Sequence, residues 1–359
     1  MPGTYHLLTP RPAPSLISLV IPLYNEEEMI PLLFDRLRDL LAKLPCPAQV
    51  VLVNDGSTDA GILKLREIAA QDRRFEVLSL ARNFGHQLAA TAGLDAARGD
   101  AIVLMDADLQ DPPELVLDML AQYEQGYDVV YGQRLQRKGE TIFKRFSAWL
   151  FYRLMRILVR RDLPVDTGDY RLVSRRFLGA LNRMRETHRF LRGMVTWVGF
   201  PQIAVPFVRA PRAAGATKYP LSKMLRFAWT AAISFSPLPL QLSFFVGSAF
   251  FGIGCAYAAY ALVRWFLGLY LVPGWTSLIF VTCLGTGGVM ILIGVLGEYV
   301  ARIYEEVKGR PLYIVSDRFN SSESDISESE SFHRTGSAHD HVPGPPAQPG
   351  HARQHGVDS

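Results

Sequence analysis

The sequence predicts an α/β domain with a mostly parallel sheet, followed by two transmembrane helices. Apolar segments of strand length alternate with amphipathic segments from Leu16 to Tyr131, and this alternation is typical of a parallel sheet covered by helices on both faces. Polar clusters follow the strands, and open α/β sheets bind ligands at the edge where their strands end. Two long stretches without charge then follow, at residues 238–263 and 276–297.

Five strands are predicted in the first part of the chain, at residues 16–23, 49–53, 75–80, 101–105 and 128–131. The intervening periodicity predicts helices at 28–44, from about 59 to 71, at 87–97 and at 114–125. After residue 134 the alternation stops. Further elements are expected before the apolar stretches: an amphipathic basic helix at 142–159, suited to the membrane surface or else packed on the sheet, a helix near 174–183 and an edge strand at 205–208.

The stretch AIVLMDADLQDPPE, residues 101–114, carries the strongest chemical signal. Asp106 and Asp108 form an i, i+2 pair after a buried strand, and in extended geometry their side chains point to one side. Two such carboxylates repel each other unless a cation neutralises them. Oxygen ligands suit Mg²⁺ or Mn²⁺, which in turn hold diphosphate oxygens. The alternative is a solvated turn with spare acids, but Gln110 and the Pro-Pro turn that follow favour a metal site.

The two apolar stretches are long enough to cross a hydrocarbon core of about 30 Å as helices. Buried core helices are the alternative, but these usually carry a polar stripe, which is missing here. No apolar signal sequence is expected within residues 1–14. Lys and Arg residues flank the outer ends of both stretches, which predicts cytoplasmic termini. These residues are Lys218, Lys223, Arg226, Arg302, Lys308 and Arg310.

Composition excludes some other classes of protein. The formal net charge is +4, too small to imply a nucleic-acid partner. The three cysteines, Cys46, Cys255 and Cys283, lack metal-ligand spacing and are expected to be reduced. Residues 320–359 are rich in Ser and Glu and then in Pro, Gly and His, so they are expected to be a disordered tail.

Seven motifs occur in one order ahead of the apolar stretches: IPLYNEEE, VNDGSTD, RNFGHQ, DADLQDPPE, GQR, TGDYRL and GATKYP. Together they resemble the polyprenyl-phosphate glycosyltransferases of the GT-A, family 2 type, in particular bacterial bactoprenol glucosyltransferases and more distantly dolichol-phosphate mannose synthase. The resemblance covers about residues 15–315. It implies a GT-A fold, Rossmann-like with a mostly parallel sheet, ahead of two C-terminal transmembrane helices.

The expected organisation follows from this resemblance and from the apolar stretches. An N-terminal extension (1–14) precedes the GT-A glycosyltransferase domain (15–215) and a juxtamembrane amphipathic segment (216–236). Transmembrane helix 1 (237–264), an extracytoplasmic loop (265–275), transmembrane helix 2 (276–300), a cytoplasmic juxtamembrane segment (301–319) and the tail (320–359) complete the chain.

The resemblance also implies site residues. Pro22, Tyr24, Glu26, Asp55 and Asp106 would bind the nucleotide, with a turn role as the alternative for Asp55. Asp106, Asp108 and Gln110 would hold the metal, with Asp108 counted among the catalytic residues.

Arg134 and Arg145 match the arginines that receive the lipid phosphate in the family, and a solvated basic face is the alternative. Asp166 and Asp169 would orient the sugar or acceptor, or else pin a loop by hydrogen bonds to Arg171. Both alternatives stay open for this pair of carboxylates.

The implied function is inverting, metal-dependent transfer of a sugar from a nucleotide-sugar donor to polyprenyl phosphate, with Mg²⁺ or Mn²⁺ as cofactor. UDP-glucose is the first choice of donor and undecaprenyl phosphate the acceptor, at the cytoplasmic leaflet of the bacterial inner membrane. The same reaction with UDP-GlcNAc or GDP-mannose, or a catalytically silent scaffold that binds nucleotide sugars, are the alternatives. Small residues at Gly285, Gly287 and Gly288 permit close helix approach and point to a homo-oligomer.

Overall fold

The computed structural model describes residues 8–135, 167–208, 238–267 and 274–320. Its strands are β1 (Ile17–Leu23), β2 (Ala48–Asn54), β3 (Phe75–Leu80), β4 (Ala101–Leu104), β5 (Val129–Arg134), β6 (Thr167–Ser174), β7 (Gln202–Phe207) and β8 (Val315–Phe319). They form one eight-stranded sheet in the order β7-β5-β6-β4-β1-β2-β3-β8. The expected edge strand after residue 200 is therefore present as β7.

The sheet is mostly parallel, as the sequence predicts, with β6 and β8 as the antiparallel members. β1 pairs in parallel with β2 and β4, and β2 with β3, while β6 runs antiparallel to both β4 and β5. The strand β6, which contains the TGDYRL motif, is not among the strands predicted from the sequence, although the helix predicted near 174–183 does follow it. Two charged residues, Asp169 and Arg171, interrupt the apolar pattern by which a buried strand is usually predicted. Both are nevertheless buried, and they form an ion pair at 3.6 Å.

Helices cover both faces of the sheet. One face packs against α1 (Ile30–Leu41), α2 (Gly61–Gln71) and α4 (Leu115–Glu124), and the other against α3 (His86–Ala96), α5 (Arg175–Asn182) and α6 (Leu191–Val198). Burial on both faces explains why the central strands are continuous apolar runs.

Helix α3 approaches the sheet closely at Gly93. A Cβ atom there would lie 2.3 Å from Cγ1 of Val20 in β1. The missing side chain therefore lets the helix that begins at His86 lie directly on the central strand.

Two long helices follow, α7 (Leu238–Phe266) and α8 (Trp275–Val307). They are in contact at Gly247, where an added Cβ would lie 3.3 Å from Cδ1 of Leu292. In the described part of the chain, one helical stretch, Leu284–Val307, is long and apolar enough to cross a membrane. Both membrane crossings, through α7 and through α8, stay predictions.

The chain returns to the sheet after α8. β8 adds to the free side of β3, where the amide of Ala81 donates to the carbonyl of Ile314 at 2.9 Å and the Ser316 hydroxyl donates to the carbonyl of Ser79 at 3.0 Å. The segment expected to be only juxtamembrane, 301–319, thus supplies a strand. The N-terminal extension also makes contacts, since the Arg11 guanidinium donates to Asp128 at 3.2 Å.

Several predictions fall outside the described residues. These are Arg145, Asp166, the helix expected at 142–159, the juxtamembrane segment 216–236, most of the loop between the two long helices, and the tail from residue 321.

Candidate active site

The functional side chains converge on one edge of the sheet. β1, β2, β3 and β4 all end there because they are parallel, and β6 begins there because it is antiparallel. The loops after the parallel strands and the first residues of β6 therefore line a common surface, as open α/β sheets provide.

The DADLQ segment forms a turn directly after β4. The amide of Met105 donates to the carbonyl of Val20 at 3.1 Å, and the Asp108 carboxylate then accepts the amide N–H of Gln110 at 3.1 Å. Leu109 has a φ of 53°, a left-handed conformation that costs a leucine about 1 kcal/mol or more. The extended geometry expected for Asp106 and Asp108 is therefore not present, because residues 107 and 108 lie in a turn.

Asp106 lies among other carboxylates. Its side chain is 33% exposed. Burial raises its pKa, and the charges of Asp169, Asp108 and Asp111 raise it further against the opposing charge of His86. Such a cluster of like charges stabilises a cation placed beside it.

The donor set fits a divalent cation that is shared with a substrate. Within the described ranges, no group of three or more His, Cys, Asp or Glu side chains is arranged to hold a metal ion. Mg²⁺ is usually held by one or two carboxylates plus substrate phosphates rather than by a complete protein cage. Asp106 and Asp108, with the partly exposed Gln110 next to them, match that mode.

Asp169, at the start of β6, has a different environment. Its carboxylate is buried and accepts hydrogen bonds from Nε of Arg192 at 2.7 Å and from Nε2 of Gln87 at 3.2 Å. Burial alone would raise the pKa of Asp169, but Arg192, His86 and Arg171 together hold it well below its usual value. These contacts favour the loop-pinning role over a direct role on substrate.

His86 connects the two carboxylates, and sequence reasoning gave it no role. It is the first residue of α3, follows Gly85 with a φ of 95°, and is 43% exposed at its side chain. Its Nε2 lies 3.5 Å from Oδ1 of Asp106 and 3.5 Å from Oδ2 of Asp169. Burial lowers the pKa of His86, but the hydrogen bond to Asp169 and the charges of both carboxylates outweigh this and raise it.

Asp55 holds the backbone that presents His86. One carboxylate oxygen accepts the amide N–H of Phe84 at 2.7 Å and the other accepts that of Gly85 at 3.0 Å. Burial raises the pKa of Asp55 despite these two hydrogen bonds. Asp55 thus pins the neighbouring loop, which is a structural role beside any contact with a nucleotide.

The loop after β1 holds the other expected nucleotide contacts. Tyr24 is 45% exposed, Glu26 is half-buried, and Pro22 is buried within β1. A proline fits this interior strand because the pairing of β1 with β4 ends at Val20, so no ladder hydrogen bond is lost.

Arg134 lies at the end of β5, beside the start of β6. Its Nη2 pairs with the buried carboxylate of Asp111 at 3.2 Å. Its Nε is buried without a hydrogen-bond partner in the described part of the chain. Gly168 makes room for this guanidinium, because an added Cβ would lie 2.9 Å from Nη2.

Four residues of this edge were not identified from the sequence: His86, Gln87, Asp111 and Arg192. The first two lie in RNFGHQ and Asp111 in DADLQDPPE, so the motifs contained them without assigning a role. No local pattern marks Arg192, because its partner Asp169 is 23 residues away and on another element.

Comparisons with known proteins identify the family. Residues 18–181 match the family model described as glycosyl transferase family 2. The chain is 45% identical over 309 residues to the uncharacterized glycosyltransferase YkcC of Bacillus subtilis, which covers 84% of this chain and 94% of that protein. It is 37% identical over 300 residues to the bactoprenol glucosyl transferase of Shigella phage SfII, with 83% of this chain and 97% of that protein covered.

Among solved structures, the chain resembles glucosyl-3-phosphoglycerate synthase from Mycobacterium tuberculosis, in complex with Mn²⁺, uridine diphosphate and glucosyl-3-phosphoglycerate. The identity is 22%, the TM-score is 0.41, and the match covers 60% of this chain and 76% of that one.

The protein belongs to glycosyl transferase family 2 and is a glycosyltransferase. The resemblance to the bactoprenol glucosyltransferases is confirmed by relatives that are named for that activity. The GT-A fold class with its mostly parallel sheet is confirmed as well.

Proposed function

We propose that this protein transfers glucose from UDP-glucose to polyprenyl phosphate, with inversion at the anomeric carbon, to form a polyprenyl-monophosphate sugar. The named activity of relatives at 37% identity over most of both chains supports the lipid acceptor and the sugar. Undecaprenyl phosphate is the polyprenyl phosphate we propose. The observation that carries the proposal is the carboxylate turn at Asp106 and Asp108, placed at the ligand-binding edge of the sheet.

A divalent cation, Mg²⁺ or Mn²⁺, is part of the proposal. Asp106, Asp108 and Gln110 would hold it. When bound, such a cation would supply neutralisation of the charge that develops on the departing nucleoside diphosphate. Burial and, after it, the charges of the neighbouring carboxylates raise the pKa of Asp106, and a cation bound beside it would stabilise its charged form.

The acceptor explains why no strong base is needed. A phosphate monoester is already anionic at neutral pH, so its oxygen attacks the anomeric carbon without losing a proton to the enzyme. Asp169 is unsuited to a base role, since its carboxylate is engaged by Arg192 and Gln87 and its pKa is low. The protein contributes approach, orientation and charge neutralisation.

Arg134 is proposed to receive the lipid phosphate. Asp111 orients its guanidinium, and Nε, which has no hydrogen-bond partner among the described residues, is a donor that a phosphate oxygen would satisfy. Arg forks match phosphate oxygens in geometry and charge. Arg145 is assigned the same role from the motif alone, and Asp166 is proposed to act near the acceptor.

The nucleotide is proposed to bind across the ends of β1 and β2. Tyr24 is exposed there and Glu26 is half-buried beside it. A carboxylate of Glu26 or Asp55 would accept the imide N–H of uracil. Pro22 would form part of the surface against which the nucleotide packs.

The membrane arrangement is proposed from helix length and from flanking charge. α7 and α8 would both cross, which leaves the catalytic domain and both termini in the cytoplasm. This places the enzyme in the bacterial plasma membrane, at the level of the lipid phosphate. A homo-oligomer through the glycine-rich part of α8 is proposed on the same grounds.

The test is a donor panel with purified protein, undecaprenyl phosphate and radiolabelled UDP-glucose, UDP-GlcNAc or GDP-mannose. We expect label from UDP-glucose in the lipid extract, in a product that mild acid releases as free sugar. Asp108→Asn is the matched control, because it changes one side chain in a turn and should lower product formation by about 100-fold or more. Transfer from GDP-mannose or UDP-GlcNAc alone would contradict the donor assignment. Transfer to a water-soluble acceptor alone would contradict the lipid assignment.

A further inference from the structure

We propose that His86 is a positioning residue that sets the affinity of the Asp106 site for its divalent cation. This inference rests on the proposed function, because it takes Asp106 to be a ligand of that cation. Nothing in the motif comparison assigns a role to this histidine.

The geometry places one nitrogen between two carboxylates. Nε2 of His86 lies 3.5 Å from Oδ1 of Asp106 and 3.5 Å from Oδ2 of Asp169. These distances are at the long end of the hydrogen-bond range, as is common before substrate binds. A single N–H cannot donate fully to both oxygens, so its direction decides which carboxylate is fixed.

Asp169 is already fixed by other groups. Arg192 donates to it at 2.7 Å and Gln87 at 3.2 Å, while Oε1 of Gln87 accepts the amide N–H of Leu191 at 3.0 Å. These hydrogen bonds join α3, β6 and α6 next to His86 and hold Asp169 in place. Asp106, by contrast, lies in a turn and is 33% exposed.

The backbone of His86 is fixed as well. Asp55 accepts the amide N–H groups of the two preceding residues, and Gly85 supplies the left-handed turn into α3. The imidazole is thus held from its backbone and from Asp169. Because the same Nε2 also lies 3.5 Å from Oδ1 of Asp106, the fixed imidazole restrains that oxygen and leaves the other oxygen of Asp106 for the cation.

Partners of metal ligands commonly change metal affinity by about 10- to 100-fold when they are removed. His86 has the position of such a partner. In this scheme the donor binds through the cation, and His86 does not touch the sugar or the acceptor. Loss of His86 should therefore raise the KM for the nucleotide-sugar donor and leave the KM for the lipid unchanged.

The experiment measures Mn²⁺ binding directly, by the electron paramagnetic resonance signal of free Mn²⁺ during titration of the full-length protein in detergent. The variants are His86→Phe, which keeps a ring but lacks the donor, and His86→Gln, which carries an amide N–H near the position of Nε2. His188→Phe is the matched control, because His188 is 39% exposed and pairs with Glu305 at 2.6 Å, away from Asp106.

We expect His86→Phe to weaken Mn²⁺ binding about tenfold, His86→Gln to restore most of it, and His188→Phe to match the wild type. Donor KM should follow the same order, with the lipid KM unchanged. If His86→Phe does not fold, as judged by thermal unfolding, His86→Ala takes its place.

Wild-type Mn²⁺ affinity in a folded His86→Phe protein would overturn the inference. Equal losses in the Phe and Gln variants would overturn it too, since the donor would then be irrelevant. Absence of Mn²⁺ binding by the wild type is a different result, because it would remove the metal site from the proposed function itself.

Discussion

Asp106 and Asp169 lie on the same edge of the sheet and share one neighbour, His86, yet their environments shift the pKa of the two carboxyl groups in opposite directions. Asp106 is partly exposed among other carboxylates and has a raised pKa. Asp169 is buried among cationic and amide donors and has a lowered pKa.

The difference shows how one residue type takes two roles in a site. Asp169 stabilises the folded protein, because its charge is compensated by fixed partners. Asp106 is expected to destabilise it, because its carboxylate is desolvated and lies near other carboxylates, and such a cost is typical of a residue that is kept for a ligand. Residue type and motif position alone do not separate these cases.

The largest expected effect is on turnover at the crowded carboxylates. Asp108→Asn or Asp106→Asn should lower kcat by about 100-fold or more, because a bound cation supplies several kcal/mol of charge stabilisation. EDTA should abolish transfer by the wild type, and Mg²⁺ or Mn²⁺ should restore it. Asp118→Asn on the exposed side of α4 is the control and should be neutral. Full activity in EDTA would remove the metal from the mechanism.

A second prediction compares thermal stability. Asp169→Asn should lower the free energy of unfolding by about 3–5 kcal/mol, because removal of one partner leaves the buried charge of Arg171 uncompensated. Asp106→Asn should raise the unfolding midpoint, because it relieves like-charge repulsion. Thermal unfolding of both variants in one detergent at pH 7.5 measures the contrast. Shifts of the same sign would show that the two environments are not distinct.

The pH dependence of these variants gives a smaller effect with a definite sign. Asp106 has a raised folded pKa, so its destabilising effect is present at high pH and fades as pH falls through that pKa. Asp169 has a lowered folded pKa, so its stabilising effect persists until pH falls below the unfolded value of about 3.9. Between pH 7.5 and 4.5 the gain of Asp106→Asn should shrink. The deficit of Asp169→Asn should not shrink, because His86, whose folded pKa is raised, becomes protonated over this range and pairs more strongly with Asp169. A stability deficit of Asp169→Asn that shrinks over this pH range would contradict the lowered pKa of Asp169.

The smallest effect is expected at Gly168, which separates the Arg134–Asp111 pair from Asp169. Gly168→Ala places a Cβ 2.9 Å from Nη2 of Arg134. The flexible guanidinium would shift, so the KM for the lipid should rise a few-fold with little change in donor KM. Gly179→Ala is the control, since an added Cβ there meets nothing within 4 Å. A change confined to the KM for the nucleotide-sugar donor would contradict the proposed contact of Arg134 with the lipid phosphate.

Much of the fold follows from local sequence. Strands β1 to β5 and helices α1 to α4 were predicted within a few residues of their bounds, because each is a short apolar or amphipathic run between polar clusters. The turn with Asp106 and Asp108 was identified for the same reason. The conformation of this turn was not predicted, because nothing in the sequence indicates that Leu109 adopts a left-handed backbone conformation.

The sequence by itself determined the alternating elements, the polar clusters at the strand ends and the family to which the chain belongs, because these depend on residues close in the chain. Only the tertiary structure decided that β6 runs antiparallel and that β8 completes the sheet. It also joined Asp169 to Gln87 across 82 positions, and Ser79 to Ser316 across 237. Such partners depend on long-range pairing and close packing, and no local pattern encodes them.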